Sequence, residues 1–278
     1  MSGTPHAILN PTRPFTLLGV VNTTPDSFYD GGQFFAPGDA IARGLELRAE
    51  GADWIDVGGE STRPGAEPVS PAEEVQRVLP VVRALVSQGI PVSIDTRRAR
   101  VAAAALDAGA QLVNDVSALA DPDMAELAAG RGAAVLLMHM QGTPKTMQEA
   151  PVYADVVAEV RAFLAERVAQ AVARGIARER LAVDPGIGFG KTLAHNLQLL
   201  GGLRALTDLG VPVAVGVSRK SFLGAVTGAP PSDRLAGSLA AAVCAYLNGA
   251  RIFRVHDVKA TRDALAISEA VRRHGSGP

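Results

Sequence analysis

Short runs of almost continuously apolar residues recur along the chain, and longer stretches with helical periodicity lie between them. An apolar run without alternation is typical of a strand in a parallel sheet, where both faces are covered. The pattern therefore predicts eight strands, at residues 15–21, 54–57, 92–94, 112–114, 133–138, 181–183, 213–215 and 251–255.

The clearest helix signal follows the second predicted strand. Ser70 is a good N-cap, Pro71 suits the first helical position, and Glu73 completes a capping box. Apolar residues then recur at helical spacing up to a stop at Gly89, namely Val75, Val78, Leu79, Val82 and Leu85.

Two more helical stretches extend this alternation. Residues 153–173 contain neither Gly nor Pro, and residues 232–249 carry an apolar face made of Leu235, Leu239, Val243 and Leu247. Unbroken strand–helix alternation predicts a single-domain α/β protein, a (β/α)8 TIM barrel over residues 15–275 after an extension at 1–14. An open doubly wound sheet is the alternative, but its dinucleotide fingerprint is missing after the first strand.

The composition limits the kinds of molecule that the protein is expected to bind. The 278 residues are 47% hydrophobic and 20% charged, with a formal net charge of −1, so there is no global field for nucleic acid or an anionic membrane. An anionic substrate must then be held by a local cluster of charges. The single Cys244 excludes an internal disulfide and is expected to pack in the core. Without a long apolar run or a signal-like start, we expect a cytoplasmic protein.

Polar residues gather where the predicted strands end, which is the active face of a TIM barrel. The residues concerned are Asn22, Asp56, Asp95, Asn114, His139, Asp184, Lys220, Arg254 and His256. Any one of them is explained about as well by ordinary turn chemistry. As a ring they predict a binding site in the mouth of the barrel.

The cations of this ring indicate an anion site. Arg254 and His256 are two residues apart in an extended segment, so they point the same way. A helix is expected to start near Asp257, and its free N–H groups favour anions. We therefore expect a phosphate or pyrophosphate beside Arg254 and His256, with Arg63 as a further candidate.

The acids of the ring indicate a ligand with hydrogen-bond donors. Asp95 and Asp184 share the mouth with Asn114, and buried carboxylates need partners. A flat heterocycle with adjacent N–H groups would satisfy them, with Lys220 donating from the other side. A structural Asp184–Lys220 ion pair without a ligand role is the alternative.

Glycine-rich loops follow several of these strands. Residues 22–32 and 58–65 are longer than most βα connections and predict a movable lid that includes Phe28. Residues 186–192 end like a phosphate loop but lack its spacing, so their glycines indicate close backbone approach to a ligand, with Phe189 as a wall. No Cys/His cluster has zinc spacing, and a hard cation such as Mg²⁺, bound partly through pyrophosphate, fits better.

Eight segments together resemble the dihydropteroate synthases, a family of pterin-binding TIM barrels. They are GVVNTTPDSF (19–28), DVGGESTRPG (56–65), SIDT (93–96), NDVS (114–117), MHMQGTP (138–144), DPGIGFGK (184–191), GVSRKSF (216–222) and RVHDV (254–258). Each is weak alone, but one follows each strand in order.

The resemblance implies a role for each matching residue. Asp95, Asn114, Asp184 and Lys220 would bind the pterin, with Met138 lining its slot and Gly216 in the same substrate-binding set. Arg63, Arg254 and His256 would hold pyrophosphate, and Asn22 would help hold Mg²⁺. The p-aminobenzoate pocket, for which sulfonamides compete in the family, would be shaped by Phe28, Thr62, Arg63, Pro64, Phe189 and Ser218. The family also implies a homodimer.

The implied reaction joins 6-hydroxymethyl-7,8-dihydropterin pyrophosphate to p-aminobenzoate by a dissociative route. Pyrophosphate leaves the pterin C9, helped by charge neutralisation, and the arylamine attacks the cation. The expected catalytic residues are Asp95, Lys220, Arg254 and His256, with Asp30 ordering a loop or taking the amine proton.

Three other functions remain open at this point. A methyltransferase barrel that uses reduced folate would resemble the chain around Asp95, Asn114 and Asp184, but would not need the Arg254/His256 anion site. An aldolase would use Lys220 to form a Schiff base. A non-catalytic barrel would bind pterin without turnover.

Overall fold

Eight parallel strands close into a barrel in which each strand pairs with the next along the chain and the last pairs with the first. The computed structural model describes residues 9, 13–24, 37–61 and 66–275. The strands are β1 (Thr16–Asn22), β2 (Trp54–Gly58), β3 (Val92–Asp95), β4 (Leu112–Asp115), β5 (Ala134–Met138), β6 (Leu181–Asp184), β7 (Val213–Val215) and β8 (Ala250–Val255). All eight predicted strands are confirmed.

Helices surround the barrel between the strands. Those in the described residues are α1 (Pro37–Ala49), α2 (Pro71–Ser87), α3 (Ala99–Asp107), α4 (Met124–Arg131), α5 (Val156–Ala173), α6 (Leu193–Gly201), α7 (Arg204–Thr207), α8 (Ser221–Thr227), α9 (Leu235–Leu247) and α10 (Val258–Gly275). The predicted TIM barrel is therefore confirmed, while the limits assigned to the domain stay a prediction. Among the residues that the structure covers, no helix has the length and apolar character needed to cross a membrane.

The N-terminus of α2 largely follows the prediction. The Ser70 hydroxyl accepts a hydrogen bond from the backbone N–H of Glu73 (3.2 Å), and Pro71 begins the helix. The Glu73 carboxylate binds Arg77 (2.5 Å), a partner one helical turn further on. The capping interaction therefore runs through Ser70 alone.

The predicted apolar face of α9 is correct only in part: Leu239 and Val243 are partly buried and Val243 packs against the core, but the leucines at either end do not. Leu235 and Leu247 are 41% and 51% exposed, and Cys244, expected in the core, is exposed as well. The buried face consists of smaller residues and one tyrosine: Ser238, Ala241, Ala242, Ala245 and Tyr246. Small side chains let a helix backbone approach its neighbours closely, so the larger leucines are left on the outside.

Alternation along the strands divides the barrel interior into two layers. Side chains two positions apart in a strand point to the same face. One apolar cluster, which we call the floor, fills the interior and consists of Leu9, Leu18, Trp54, Leu112, Ala134, Leu136, Ala182, Ala214 and Ile252. The residues two positions further along these strands point inward too, one layer closer to the carboxyl ends. This second layer forms the mouth.

Candidate active site

The mouth contains the polar ring that the sequence predicts. Asp56, Asn114, Asp184 and Arg254 each lie two residues beyond a floor residue of the same strand, and Asp95 pairs in register with Asn114. All except Arg254 are buried. Because strand parity fixes their direction, the fold brings residues from five strands to one place.

Arg254 is the hub of this layer. Its Nε donates to Asp56 Oδ2 (2.5 Å) and its Nη2 donates to Asp95 Oδ2 (2.6 Å). Asn114 Nδ2 donates to the same Asp56 oxygen (3.1 Å). The guanidinium therefore points into the mouth and links Asp56 to Asp95. From the sequence, Arg254 was predicted only to lie beside a bound phosphate or pyrophosphate. Asp56, to which the sequence assigned no role, is the carboxylate that connects Arg254 to Asn114.

Burial disfavours the ionised form of the carboxylates in the mouth. Burial raises the pKa of Asp95 to about 7, and the charge of Arg254 offsets this only in part. Burial also raises the pKa of Asp184, against the opposing charge of Lys220. A ligand that donates hydrogen bonds to these groups would relieve the unfavourable burial. Perturbed acids of this kind are typical of functional sites.

Lys220 lies at the wall of the mouth that the loop after Asp184 forms. Its Nζ donates to the backbone carbonyl of Ile187 and lies 4.6 Å from the centre of the Phe189 ring. Burial lowers the pKa of Lys220 to about 8, and the charge of Asp184 partly offsets the effect. The two described residues Asp184 and Lys220 do not form the direct ion pair that was considered from the sequence. Their charges interact over a longer distance, without a hydrogen bond between the two side chains.

Ser218 and His256 adjoin this wall from β7 and β8. His256 Nδ1 lies 3.0 Å from Ser218 Oγ, and the backbone N–H of His256 donates to the same oxygen (3.2 Å). Arg43 of α1 donates to the His256 carbonyl (2.9 Å). The neighbouring Arg219 forms an ion pair with Asp257 (2.5 Å), the residue before α10, so its guanidinium is bound outside the mouth. The structure thus brings His256, Ser218 and Arg254 to the same side of the mouth.

Met138 is the last residue of β5, and His139 follows it outside the strand. Met138 is paired in register with Asp184 and is buried at the level of the mouth, where it fits a lining residue. His139 turns away and lies edge-on to Phe163 (4.9 Å between ring centres). Burial lowers the pKa of His139 to about 3, so its ring is neutral. His139 is therefore a support behind the pocket.

A buried ion network anchors the connection between β2 and α2. Glu60 accepts hydrogen bonds from Arg98 (2.7 Å), Arg97 (3.1 Å) and the backbone N–H of Val69 (3.3 Å). Arg98 also bonds Glu74, whose pKa is raised by burial. These contacts fix both ends of the loop that carries the ESTRPG segment. The sequence pattern does not predict this network, although the adjacent arginines at 97 and 98 are a signal for it.

Some predicted site residues lie outside the described part of the chain: Phe28, Asp30, Thr62, Arg63 and Pro64. Asn22, the predicted metal ligand, ends β1 and is half-buried. A Cβ atom added to Gly58 would lie 3.4 Å from Asp95 Oδ2 and 3.7 Å from Asn22 Oδ1, so both oxygens border one small space. Within the described residues, no three His, Cys, Asp or Glu side chains converge as a metal site.

Comparisons with known proteins agree with this geometry. A family model described as pterin binding enzyme matches residues 18–256. Dihydropteroate synthase of Escherichia coli (strain K12) is 49% identical over 255 residues, which cover 91% of this chain and 90% of that protein.

Solved structures give the same result. The structure of Xanthomonas albilineans dihydropteroate synthase with 4-aminobenzoic acid has a TM-score of 0.89 at 49% identity and covers 96% of this chain and 95% of that one. The structure of the Yersinia pestis dihydropteroate synthase with a sulfonamide drug complex has a TM-score of 0.89 at 46% identity and covers 93% of this chain and 94% of that one.

Proposed function

This chain belongs to the pterin-binding enzymes, among the dihydropteroate synthases, and from that premise we propose how its barrel mouth carries out the reaction. The activity is a transfer of the pterin group of 6-hydroxymethyl-7,8-dihydropterin pyrophosphate onto p-aminobenzoate, with release of pyrophosphate, in folate biosynthesis. The observation that carries the proposed site is the mouth itself, where the buried acids Asp95 and Asp184 have a raised pKa, Arg254 bonds Asp95, and the charge of Lys220 acts on Asp184.

The pterin ring would lie in the mouth, in contact with Asp184, Asn114 and Lys220. Its adjacent N–H donors would satisfy Asp184 and Asn114, and Lys220 would donate to a ring carbonyl or nitrogen. Met138 and Gly216 would line the slot. The raised pKa of Asp184 supports this assignment, because a buried carboxylate gains most from donors that arrive with the ligand.

Pyrophosphate departure would be assisted from β8. Arg254 and His256 share one side of the mouth, and a fixed guanidinium stabilises negative charge that develops on a leaving group. Asp95, which accepts a hydrogen bond from Arg254, would stabilise the positive charge that develops on the pterin when the C9–O bond breaks. The arylamine then attacks C9, and its proton leaves to a base for which Asp30 is the candidate.

A Mg²⁺ ion fits the oxygen-rich side of the mouth. The amide oxygen of Asn22 borders the same small space as Asp95, and Mg²⁺ prefers oxygen ligands with several supplied by substrate phosphate or water. Asn22 and the pyrophosphate oxygens would hold the ion together. When bound, Mg²⁺ would supply additional neutralisation of the leaving pyrophosphate.

The p-aminobenzoate pocket would lie where Phe189 and Ser218 meet the loops that carry Phe28, Thr62, Arg63 and Pro64. The ring of Phe189 is half-buried beside Lys220 and offers an aromatic wall. The ion network of Glu60 supports this proposal, because it fixes the ends of the second loop. We expect sulfonamides to compete for the same pocket.

A homodimer would cover apolar residues on two neighbouring helices. Leu235 and Leu247 of α9 and Ile267 and Val271 of α10 are exposed. Burial of exposed apolar side chains in an interface favours association. Light scattering of Leu247→Glu should give a smaller mass than wild type, whereas Val152→Glu, at an exposed position before α5, should not change it. A cytoplasmic location stays a prediction.

Pyrophosphate release tests the proposed function directly. Release should require the pterin pyrophosphate and p-aminobenzoate together, and dihydropteroate should form in equal amount. Binding of the pterin without turnover would favour the non-catalytic alternative. Trapping of Lys220 by borohydride with a carbonyl substrate would instead favour the aldolase.

A further inference from the structure

The loop between β6 and α6 holds three groups of the proposed pterin site. The backbone N–H of Gly186 donates to Asp184 Oδ1 (2.7 Å), and the carbonyl of Ile187 accepts from Lys220. Phe189 carries the ring that lies under the Lys220 ammonium. The conformation of residues 186–190 therefore determines where the Asp184 carboxylate and the Lys220 ammonium point.

A buried ammonium lies behind this loop. Lys191 is 3% exposed, although lysine is among the residues least often buried. Its Nζ donates to the carbonyl of Phe189 (2.8 Å), lies 3.0 Å from His139 Nδ1, and lies 3.5 Å from the His139 carbonyl. Its nearest partners are uncharged acceptors on two different segments, so the lysine joins the loop to the end of β5.

The histidine is arranged to accept this hydrogen bond. A neutral His139 ring offers Nδ1 as an acceptor if its proton is on Nε2. The ring is held in place by Phe163 and lies 6.0 Å from the ring of Tyr153, whose hydroxyl donates to the Gly190 carbonyl (2.9 Å). The acceptor and the loop are thus fixed by the same group of side chains.

Close backbone contact leaves the loop little room to move towards β5. A Cβ atom added to Gly186 would lie 1.9 Å from the His139 carbonyl oxygen, and one added to Gly190 would lie 2.7 Å from the Gln141 carbonyl oxygen. Both glycines have positive φ, at 68° and 63°. The glycines let the two backbones touch, and Lys191 closes the junction with hydrogen bonds.

The charge of Lys191 also acts on the site. Lys191 and Lys220 both lower the pKa of Asp184, against the effect of its burial. In its charged form Lys191 therefore favours the ionised form of the carboxylate that would accept the donors of the ring. Burial lowers the pKa of Lys191 itself to about 7, and the charge of Asp184 partly offsets this effect. Lys191 acts from behind, since its own side chain is enclosed.

We propose that Lys191 is a positioning residue, whose buried ammonium ties the 186–190 loop to His139 and so holds Asp184, Lys220 and Phe189 in the geometry that binds the pterin. The proposal rests on the proposed function only in the identity of the ligand. The loop junction itself can be tested without substrate.

Two measurements on Lys191→Met test the proposal. Hydrogen exchange of the free protein should become faster at the amides of Gly188 and Phe189, which are bonded to Asn196 Oδ1 (2.7 Å) and the Gly186 carbonyl (3.0 Å) in this loop. Calorimetry should show about tenfold weaker binding of the pterin pyrophosphate, because a bond from a charged donor contributes at least this factor.

Two control variants separate positioning from general stability. Lys259→Met removes an exposed lysine of α10 and should change neither measurement. Leu265→Ala removes a fully buried side chain of α10, so it should lower Tm and leave pterin affinity unchanged. If Lys191→Met does not fold, Lys191→Gln keeps two N–H donors without the charge and is measured in its place.

Wild-type affinity and wild-type exchange at Gly188 and Phe189 in the variant would overturn the proposal. So would faster exchange throughout the barrel with unchanged affinity, the pattern expected for Leu265→Ala. A wild-type protein that binds no pterin would refute the proposed function instead, and the exchange of the free loop would still test the junction.

Discussion

The floor and the mouth of the barrel are built from the same strands, at positions two residues apart, yet the floor is apolar and the mouth is charged. Trp54 lies in the floor and Asp56 in the mouth, both on β2, and Ile252 and Arg254 are related in the same way on β8. The floor is apolar and closely packed, whereas the mouth contains carboxylates whose pKa is raised by burial. The comparison indicates that the floor supplies stability and the mouth supplies binding.

The largest expected effect on stability comes from the floor. Leu112 is buried in it, and Leu112→Ala should lower the free energy of unfolding by about 2–5 kcal/mol, because the lost contacts leave a cavity. Urea unfolding measures the change. Well below Tm, kcat/KM should stay at the wild-type value. A large loss of kcat/KM without a loss of stability would show that the floor belongs to the site.

The largest expected effect on activity comes from the mouth. Arg254→Met should lower kcat/KM by about 10²–10³-fold, the loss typical of one preorganised donor for developing charge. Arg251, three residues earlier on β8, bonds the Ala250 carbonyl (2.7 Å), so Arg251→Met is a matched control that should keep the wild-type value. An unchanged kcat/KM for Arg254→Met would remove Arg254 from the mechanism.

A smaller effect is expected in the pH dependence of stability. The pKa of Asp95 is raised from 3.8 to about 7, so between these values the folded protein binds more protons than the unfolded chain. The contribution of Asp95 to the free energy of unfolding therefore falls as pH rises through this range, by at most about 1.4 kcal/mol per pH unit.

Asp95→Asn removes this titration, so its stability curve should fall less steeply over the same range. Urea unfolding at a series of pH values measures the difference. Part of the slope should remain, because burial also raises the pKa of Glu74, Asp115 and Asp184. Parallel curves for the two proteins would show that Asp95 is not held in the unfavourable environment described here.

The strands and the mouth were predictable because they depend on local patterns. Each strand is a continuous apolar run, and residues such as Asp184 and Asn114 are placed inward by alternation along that run. The partners of these residues were not predictable. Arg254 bonds Asp56, 198 positions away, and Lys191 contacts His139, 52 positions away, and nothing local encodes such pairs.

The outward face of α9 was mispredicted for a related reason. Leu235 and Leu247 are more apolar than Ala241 or Ala245, so periodicity alone placed the leucines, and not the alanines, on the apolar face of the helix. Which face is buried depends on how closely the helix approaches its neighbours, and the alanines permit the closer approach. Hydrophobicity identified the helix but not the direction in which it faces.

The affinity of Asp184→Asn for the pterin pyrophosphate tests the central claim most directly. The amide keeps an oxygen for the Gly186 N–H, but it loses the charge and replaces the second acceptor oxygen with an NH2 donor. Calorimetry should show binding about 10–100-fold weaker, the effect of losing a charged acceptor, with a free energy of unfolding equal to or above that of wild type. Wild-type affinity, or weaker binding that merely follows a loss of stability, would contradict the assignment of the mouth to pterin binding.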